Sequence, residues 1–379
     1  MCSIPEHINI KGIRMPYKNF ILLSLLLIFA YSVEALPLDK IKLPQGFSIE
    51  MYAENIENAR QMALGDNGTV FVGSRKAGNV YALIDSNNDF KAESKIIIAS
   101  NLFMPSGLAF HDGSLYVAEV DKIWRYPNIE KTLPQIPTPE LVYDKLPNIS
   151  HHGWKFITFG PDGKLYIPVG APCNVCESEL PFASILRLDV ETQETVIVAK
   201  GVRNSVGFDF HPQTGELWFT DNGRDMMGDN LPDDELNRVT QEGQHFGFPY
   251  IHNTDIADPE YRNDQIANLN TPPVLALGAH VAALGMMFYQ GEQFPESYQN
   301  STIIAQHGSW NRSSKVGYRL MQVELDKNEV KSYKPFATGW LQGEESWGRP
   351  VDIMTLNDGS ILVSDDFADA IYRISYKKS

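Results

Sequence analysis

Cysteine is scarce. The 379-residue chain has three, and only Cys173 and Cys176 lie beyond its first 35 residues. A zinc site would need two further ligands with no partner cysteine to offer them, covalent haem attachment would want histidine where Glu177 stands, and a thioredoxin-like role lacks its βαβ context. A short-loop disulfide stiffening Pro172 to Glu177 is the expected state. Excess positive charge is missing too: 32 Lys and Arg face 47 Asp and Glu, for a formal charge of −15, which excludes nucleic acid and anionic membrane surfaces as partners. Beyond residue 31 there is no long apolar run, no extended amphipathic helical pattern, and no linker rich in Pro, Gly or Ser. The chain therefore reads as one domain after a leader.

The leader has the features of a secretory signal. Lys11, Arg14 and Lys18 precede the apolar run Phe20 to Tyr31, and small residues suit cleavage after Ala35. This divides the chain into a signal peptide, 1–35, and a domain, 36–379. It predicts an exported, periplasmic or secreted protein without stable membrane insertion after cleavage.

What the chain does have is a repeat of strand, turn and strand. Turns fall near Asn67, Asp112, Asp162, Thr214, Glu296 and Asp358, as in Phe156-Ile157-Thr158-Phe159-Gly160-Pro161-Asp162-Gly163-Lys164-Leu165-Tyr166. The early spacing of about fifty residues suits a propeller blade. Six turns predict an all-β, six-bladed β-propeller with four-stranded antiparallel blades. Outer strands are expected at Val80–Leu83, Ile123–Tyr126, Ile185–Leu188, Arg319–Val323 and Ile371–Ile374. Gly46 to Tyr52 is expected to close the ring in the last blade, and Asp255 to Pro273 reads as a polar insertion.

In such a topology, residues before each inner strand and after each second strand meet on one face. His151 and His152, Arg203 and Asn204, His280 and Arg349 precede inner strands. Arg75, the Asp221-Asn222-Gly223-Arg224-Asp225 loop, the His307 to Arg312 run, Asp365 and Asp366 follow second strands. Arg75, Arg203, Arg312 and Arg349 are thereby expected to converge and to attract a polyanion, since a guanidinium binds carboxylate bidentately. Histidine titrates near neutrality, making His152 a candidate base. The 221–225 loop offers hard oxygens suited to calcium.

Val202-Arg203-Asn204, the 221–225 loop running on to Asn237, Gln306-His307-Gly308-Ser309-Trp310-Asn311-Arg312 and Gly348-Arg349-Pro350-Val351 resemble the glucose/sorbosone dehydrogenases that use pyrroloquinoline quinone, and within them the L-sorbosone and pyranose dehydrogenase branch. The resemblance runs from Leu43 to the C-terminus. It implies a six-bladed propeller, a non-covalent quinone, a calcium ion, a sugar substrate and an electron acceptor that is a cytochrome or a quinone. It assigns His152 as general base, Arg203, Asn204 and Arg349 as quinone contacts, and the main-chain oxygens of Gly223 and Arg224 as calcium ligands. Arg224 stands where that family usually has proline, Trp347 replaces a second arginine, and a cofactor lysine is missing in register, so His307 or Arg312 is expected to substitute. The alternatives are a calcium-dependent propeller lactonase, which would need carboxylates and amides converging on the ion, and a non-catalytic ligand-binding propeller. Asn67, Asn148, Asn300 and Asn311 open glycosylation sequons.

Overall fold

The computed structural model describes residues 35–263, 265, 268–299 and 301–378; the leader and Asn300 lie outside them. Six sheets follow one another as the blades of a propeller, each built on four antiparallel strands, and the third carries a short fifth strand. Their inner strands are Ala59–Leu64, Gly107–His111, Thr158–Phe159, Phe208–Phe210, Ala283–Phe288 and Pro350–Thr355. The last blade takes its outermost strand, Phe47–Ala53, from the start of the domain, in register Phe47 with Tyr376 and Ile49 with Ile374. This clasp joins the two ends of the ring, as the sequence predicts.

The second strands Val70–Ser74, Leu217–Asp221 and Ile361–Asp365 are buried at every position, because each blade packs on a neighbour through both faces. Continuous apolar runs rather than strict alternation are the consequence. Apolar clusters bridge successive blades: Tyr166 and Ile185 of the third meet Phe208 and Phe219 of the fourth. Phe71 of the first blade, fully buried, stacks on Phe110 of the second at 5.8 Å between ring centres. Truncating such a ring to alanine costs about 3–5 kcal/mol.

Neighbouring inner strands do not pair as a sheet, so polar side chains satisfy their backbone N–H groups. Gln61 Oε1 accepts from Leu108 N and Ile157 N, both at 2.9 Å, while Asp352 accepts from Met62 N and Asp209 from Phe288 N, each at 2.8 Å. Burial pushes the Asp209 and Asp352 carboxyls up to about 6 and about 7.

Two departures from expectation shape the site. The third inner strand is only Thr158–Phe159, so Phe156 and Ile157, expected to open it, stay outside it, and the segment before them brings His152 and Trp154 to the channel mouth. The fourth blade is completed by Asp233–Arg238 and Leu275–Ala279, neither recognisable as a strand in sequence. Between them, Gln244–His245 adds to the third blade in parallel, and Ile251–His252 pairs with Ile256–Ala257 at the start of the expected polar insertion.

Candidate cofactor and substrate cavity

The loops entering inner strands and leaving second strands enclose a cavity of about 300 Å³. Of the nine sequence-predicted site residues, Arg75, His152, Arg203, Asn204, Gly223, His307 and Arg349 line it, and Arg224 and Arg312 do not.

His152 is 9% exposed and its backbone is left-handed, with φ of 49°. Alternation along an extended strand is therefore not what separates it from the exposed His151; the reversal of the chain at His152 is. Gly170, at the end of the second strand of the same blade, makes room, since a Cβ there would lie 2.5 Å from the His152 Cβ. His152 Nδ1 lies 2.9 Å from the Ala171 carbonyl. That acceptor requires a proton on Nδ1, which leaves Nε2 with the lone pair. Burial, then Arg203 and His151, hold the imidazole far below its ordinary pKa, so it is neutral.

The arginines divide by their partners. Arg203 is already well bonded: Nε donates to Asn174 O at 2.8 Å, Nη1 to Asn222 O at 3.1 Å, and Nη2 to Asn174 Oδ1 at 2.8 Å and Asp225 at 3.1 Å. Arg75 lies with its guanidinium carbon 4.2 Å over the Trp154 ring, and its buried Nε has no hydrogen-bond partner. Arg349 donates to the carbonyls of His307 at 3.1 Å and Gly308 at 2.5 Å. Among the described residues neither Arg75 nor Arg349 forms an ion pair. Burial, then Arg60, lowers the Arg75 pKa against the pull of Asp366, and Arg349 adds to the lowering, so the nearby carboxylate compensates this cation only in part.

Arg312 corrects the expectation that four arginines meet. The Ser309 to Arg312 turn presents Trp310 and Asn311 to the cavity and sends Arg312 outward to the Asp229 and Ala279 carbonyls. The Arg224 side chain also leaves the site, bonding Asp258 at 2.5 Å and Glu260 at 3.2 Å; it ties the 221–225 loop to the insertion. Gly223 remains on the cavity wall with the Asp225 and Asp234 side chains. Asp234 accepts from Gly223 N at 2.9 Å and Ala283 N at 3.1 Å, and burial raises it to about 6.

Arg60 and Trp154 were not anticipated as site residues. Arg60 bonds Asp366 at 3.0 Å, and Asp366 also meets His307 Nε2 at 2.7 Å. The signal was present: Arg60 is the one basic residue in the first inner strand, Ala59-Arg60-Gln61-Met62-Ala63-Leu64, where a charge needs a partner.

Half-buried arginines without carboxylate partners and a neutral, buried histidine thus gather at the channel mouth, on one face of the propeller. The chain belongs to the family described as domain of unknown function DUF7133, which it matches over residues 34–374. An uncharacterized protein of Borreliella burgdorferi is 38% identical over 353 residues, 89% of this chain and 91% of that protein. Solved structures share the fold. The calcium structure of the Trichoderma reesei Carbohydrate-Active Enzymes Family AA12 protein has a TM-score of 0.78 at 17% identity, covering 89% of this chain and 97% of that one. The holo form of the pyranose dehydrogenase PQQ domain from Coprinopsis cinerea gives 0.74 at 17%, covering 88% and 97%. The PQQ-bound aldose sugar dehydrogenase from Streptomyces coelicolor gives 0.64 at 18%, covering 89% and 100%.

Proposed function

We propose that the protein is a quinoprotein dehydrogenase that oxidises a sugar or sugar aldehyde of the sorbosone and pyranose class, with pyrroloquinoline quinone in the cavity and calcium beside Gly223. The observation that carries this reading is the pair of arginines, Arg75 and Arg349, without carboxylate partners at a cavity whose walls also hold three orphaned buried polar atoms: Arg75 Nε, Trp154 Nε1 and Asn311 Oδ1. Buried polar groups are expected to be satisfied: a compact ligand bearing several carboxylates and carbonyls supplies acceptors for the two donors, Arg75 Nε and Trp154 Nε1, whereas the acceptor Asn311 Oδ1 calls for a donor or a cation. The donor set suits calcium as well, with main-chain oxygens at Gly223 and Arg224, carboxylates of Asp225 and Asp234 nearby, and the Arg224 cation neutralised elsewhere.

When bound, the quinone accepts a hydride and the calcium polarises the accepting carbonyl. The protein's own part is to position and to move a proton. Arg75 and Arg349 hold ligand carboxylates, Trp154 fixes the plane of Arg75, and Arg203 braces the floor. Neutral His152, its tautomer set by Ala171, takes the substrate hydroxyl proton on Nε2. Such general-base assistance contributes about a hundred- to ten-thousandfold. The partner that would take the electrons onward is a cytochrome or quinone acceptor. Export after cleavage at Ala35 completes the proposal, supported by the basic and apolar pattern of the leader; among the described residues no helix is long and apolar enough to cross a membrane.

The test is reconstitution. Purified protein given quinone and calcium should develop the absorbance of bound cofactor and reduce a dye with one or more aldoses or osones. Failure to bind the quinone in the presence of calcium would refute the proposal.

A further inference from the structure

The Cys173–Cys176 disulfide closes a ring of four residues beside the cavity, and both cysteines are half-buried. Cys173 and Val175 pack against Ala171, Ala183 and Phe248. Asn174, inside the ring, reaches the site with every polar group of its side chain and with its carbonyl. The carbonyl accepts from Arg203 Nε at 2.8 Å, Oδ1 accepts from Arg203 Nη2 at 2.8 Å and from Asp225 N at 2.9 Å, and Nδ2 donates to Asp225 O at 3.2 Å. Asp225 in turn accepts from Asn311 Nδ2 at 2.6 Å on its other carboxylate oxygen. One residue of the third blade thus holds an arginine of the fourth, and through Asp225 reaches the His307 to Arg312 run of the fifth.

We propose that the disulfide ring is the positioning device of the cavity, with Asn174 as its positioning residue, and that reduction of the pair by a dithiol weakens the cavity's hold on its anionic ligand. The exchange balances. A thiolate of the reductant attacks one cysteine sulfur, breaking the Cys173–Cys176 bond and forming a mixed disulfide. The second thiol of the reductant then displaces that cysteine. Two electrons and two protons pass to Cys173 and Cys176, and the dithiol leaves as a disulfide. The opened segment regains backbone freedom that must be lost again to place Asn174. For a ring of four residues, the chain-entropy relation sets the cost at no more than about twentyfold in an equilibrium.

The inference rests on the cavity taking an anionic ligand, and the experiment separates the two ideas. Amide exchange at Asp225, whose N–H is held by Asn174 Oδ1, needs no ligand. It is measured in the full-length protein oxidised, in the same protein reduced with dithiothreitol, and in the variants Asn174→Ala and Cys173→Ser/Cys176→Ser. Quinone affinity is then titrated in each, after removal of the dithiol. Reduction and both variants should accelerate exchange at Asp225 at least about tenfold, leave the strand Leu165–Val169 protected, and weaken quinone binding about five- to twentyfold. The double serine variant should not respond to dithiothreitol. If that variant fails to fold, the reduced wild-type protein carries the same comparison. Unchanged exchange at Asp225 in the reduced protein overturns the proposal, whether or not the quinone binds. Accelerated exchange without quinone binding in any form supports the positioning role and refutes the proposed ligand and with it the redox control of its affinity.

Discussion

Arg75 and Arg60 both line the cavity, yet replacing each by methionine should act in opposite directions. Arg75 has no carboxylate partner and rests on Trp154, so Arg75→Met forfeits a cation–π contact of about 0.5–2 kcal/mol and relieves the desolvation of a half-buried unpaired ion, a part of the several kcal/mol that a fully buried one costs after relaxation and water penetration. The ligand-free protein should be as stable as wild type or more so by up to about 2 kcal/mol. Quinone binding should weaken by about 1.5–3 kcal/mol, roughly ten- to a hundred-and-fiftyfold, the worth of a charge-assisted contact. Arg60 instead pairs with Asp366, the side chains 4% and 11% exposed. Arg60→Met strands that carboxylate and should cost about 3–5 kcal/mol. Part of this loss depends on pH because His307 sits 2.7 Å from the same carboxylate. Burial, then Arg349 and Arg60, keep the wild-type imidazole low against the pull of Asp366. Losing Arg60 raises the imidazole toward its ordinary value, so its protonation as pH falls offsets part of the stranded charge, and the cost of Arg60→Met relative to wild type should be smaller at pH 5.5 than at pH 8. Urea unfolding of the ligand-free variants at pH 5.5 and 8, with quinone titration, measures all of this. If Arg75→Met is as destabilised as Arg60→Met, or binds quinone like wild type, the assignment of Arg75 as an uncompensated ligand contact is wrong.

His152→Ala should lower turnover by at least about a hundredfold with quinone affinity retained, whereas His151→Ala should leave steady-state kinetics nearly unchanged; equal losses in both would move the base elsewhere. Ring ¹⁵N shifts should report His152 neutral and protonated on Nδ1 at pH 5. Because its folded pKa lies below its unfolded one, the stability it contributes is present above about pH 6.5 and declines as pH falls; a titration near 6.5 in the folded protein would contradict the burial argument. A chelator should abolish turnover and calcium restore it, magnesium poorly, since magnesium demands a tight octahedral shell; full activity in excess chelator would exclude the metal. Asp258→Ala removes the fully buried partner of Arg224 and His252 and should cost about 3–5 kcal/mol in urea unfolding, an unchanged midpoint counting against the proposed anchoring of the 221–225 loop.

The blades were legible because their inner hairpins join two apolar strands through a turn rich in Gly, Asp or Asn, a pattern few other folds repeat. Asp233–Arg238 was not legible for a physical reason. Its polar side chains are satisfied by partners distant in sequence: Asp234 by Gly223 N and Ala283 N, and Glu235 by Asn253 N at 2.8 Å. A strand whose carboxylates serve neighbouring loops loses the apolar signature. The reverse difference falls on Phe156 and Ile157, apolar enough to open the third inner strand yet left outside Thr158–Phe159, at the end of a segment that turns at the histidines. There a left-handed residue at His152, rather than a pleat, decides which histidine turns inward.

Topology alone placed most of the site on one face, since it is enough to know which loop a residue occupies. It cannot say whether a charge on that loop is already neutralised. Arg203 and Arg349 look equivalent in sequence, each just before an inner strand. Folded, Arg203 bonds Asn174, Asn222 and Asp225, whereas Arg349 bonds only carbonyls. A salt-bridged guanidinium gains little by trading one carboxylate for another, because the one it leaves is then buried unpaired. The burden of ligand binding therefore shifts from Arg203, the arginine most conspicuous in the family resemblance, to Arg349 and to Arg75, which that resemblance did not assign. Arg203 becomes the brace that joins the disulfide ring to the cavity floor.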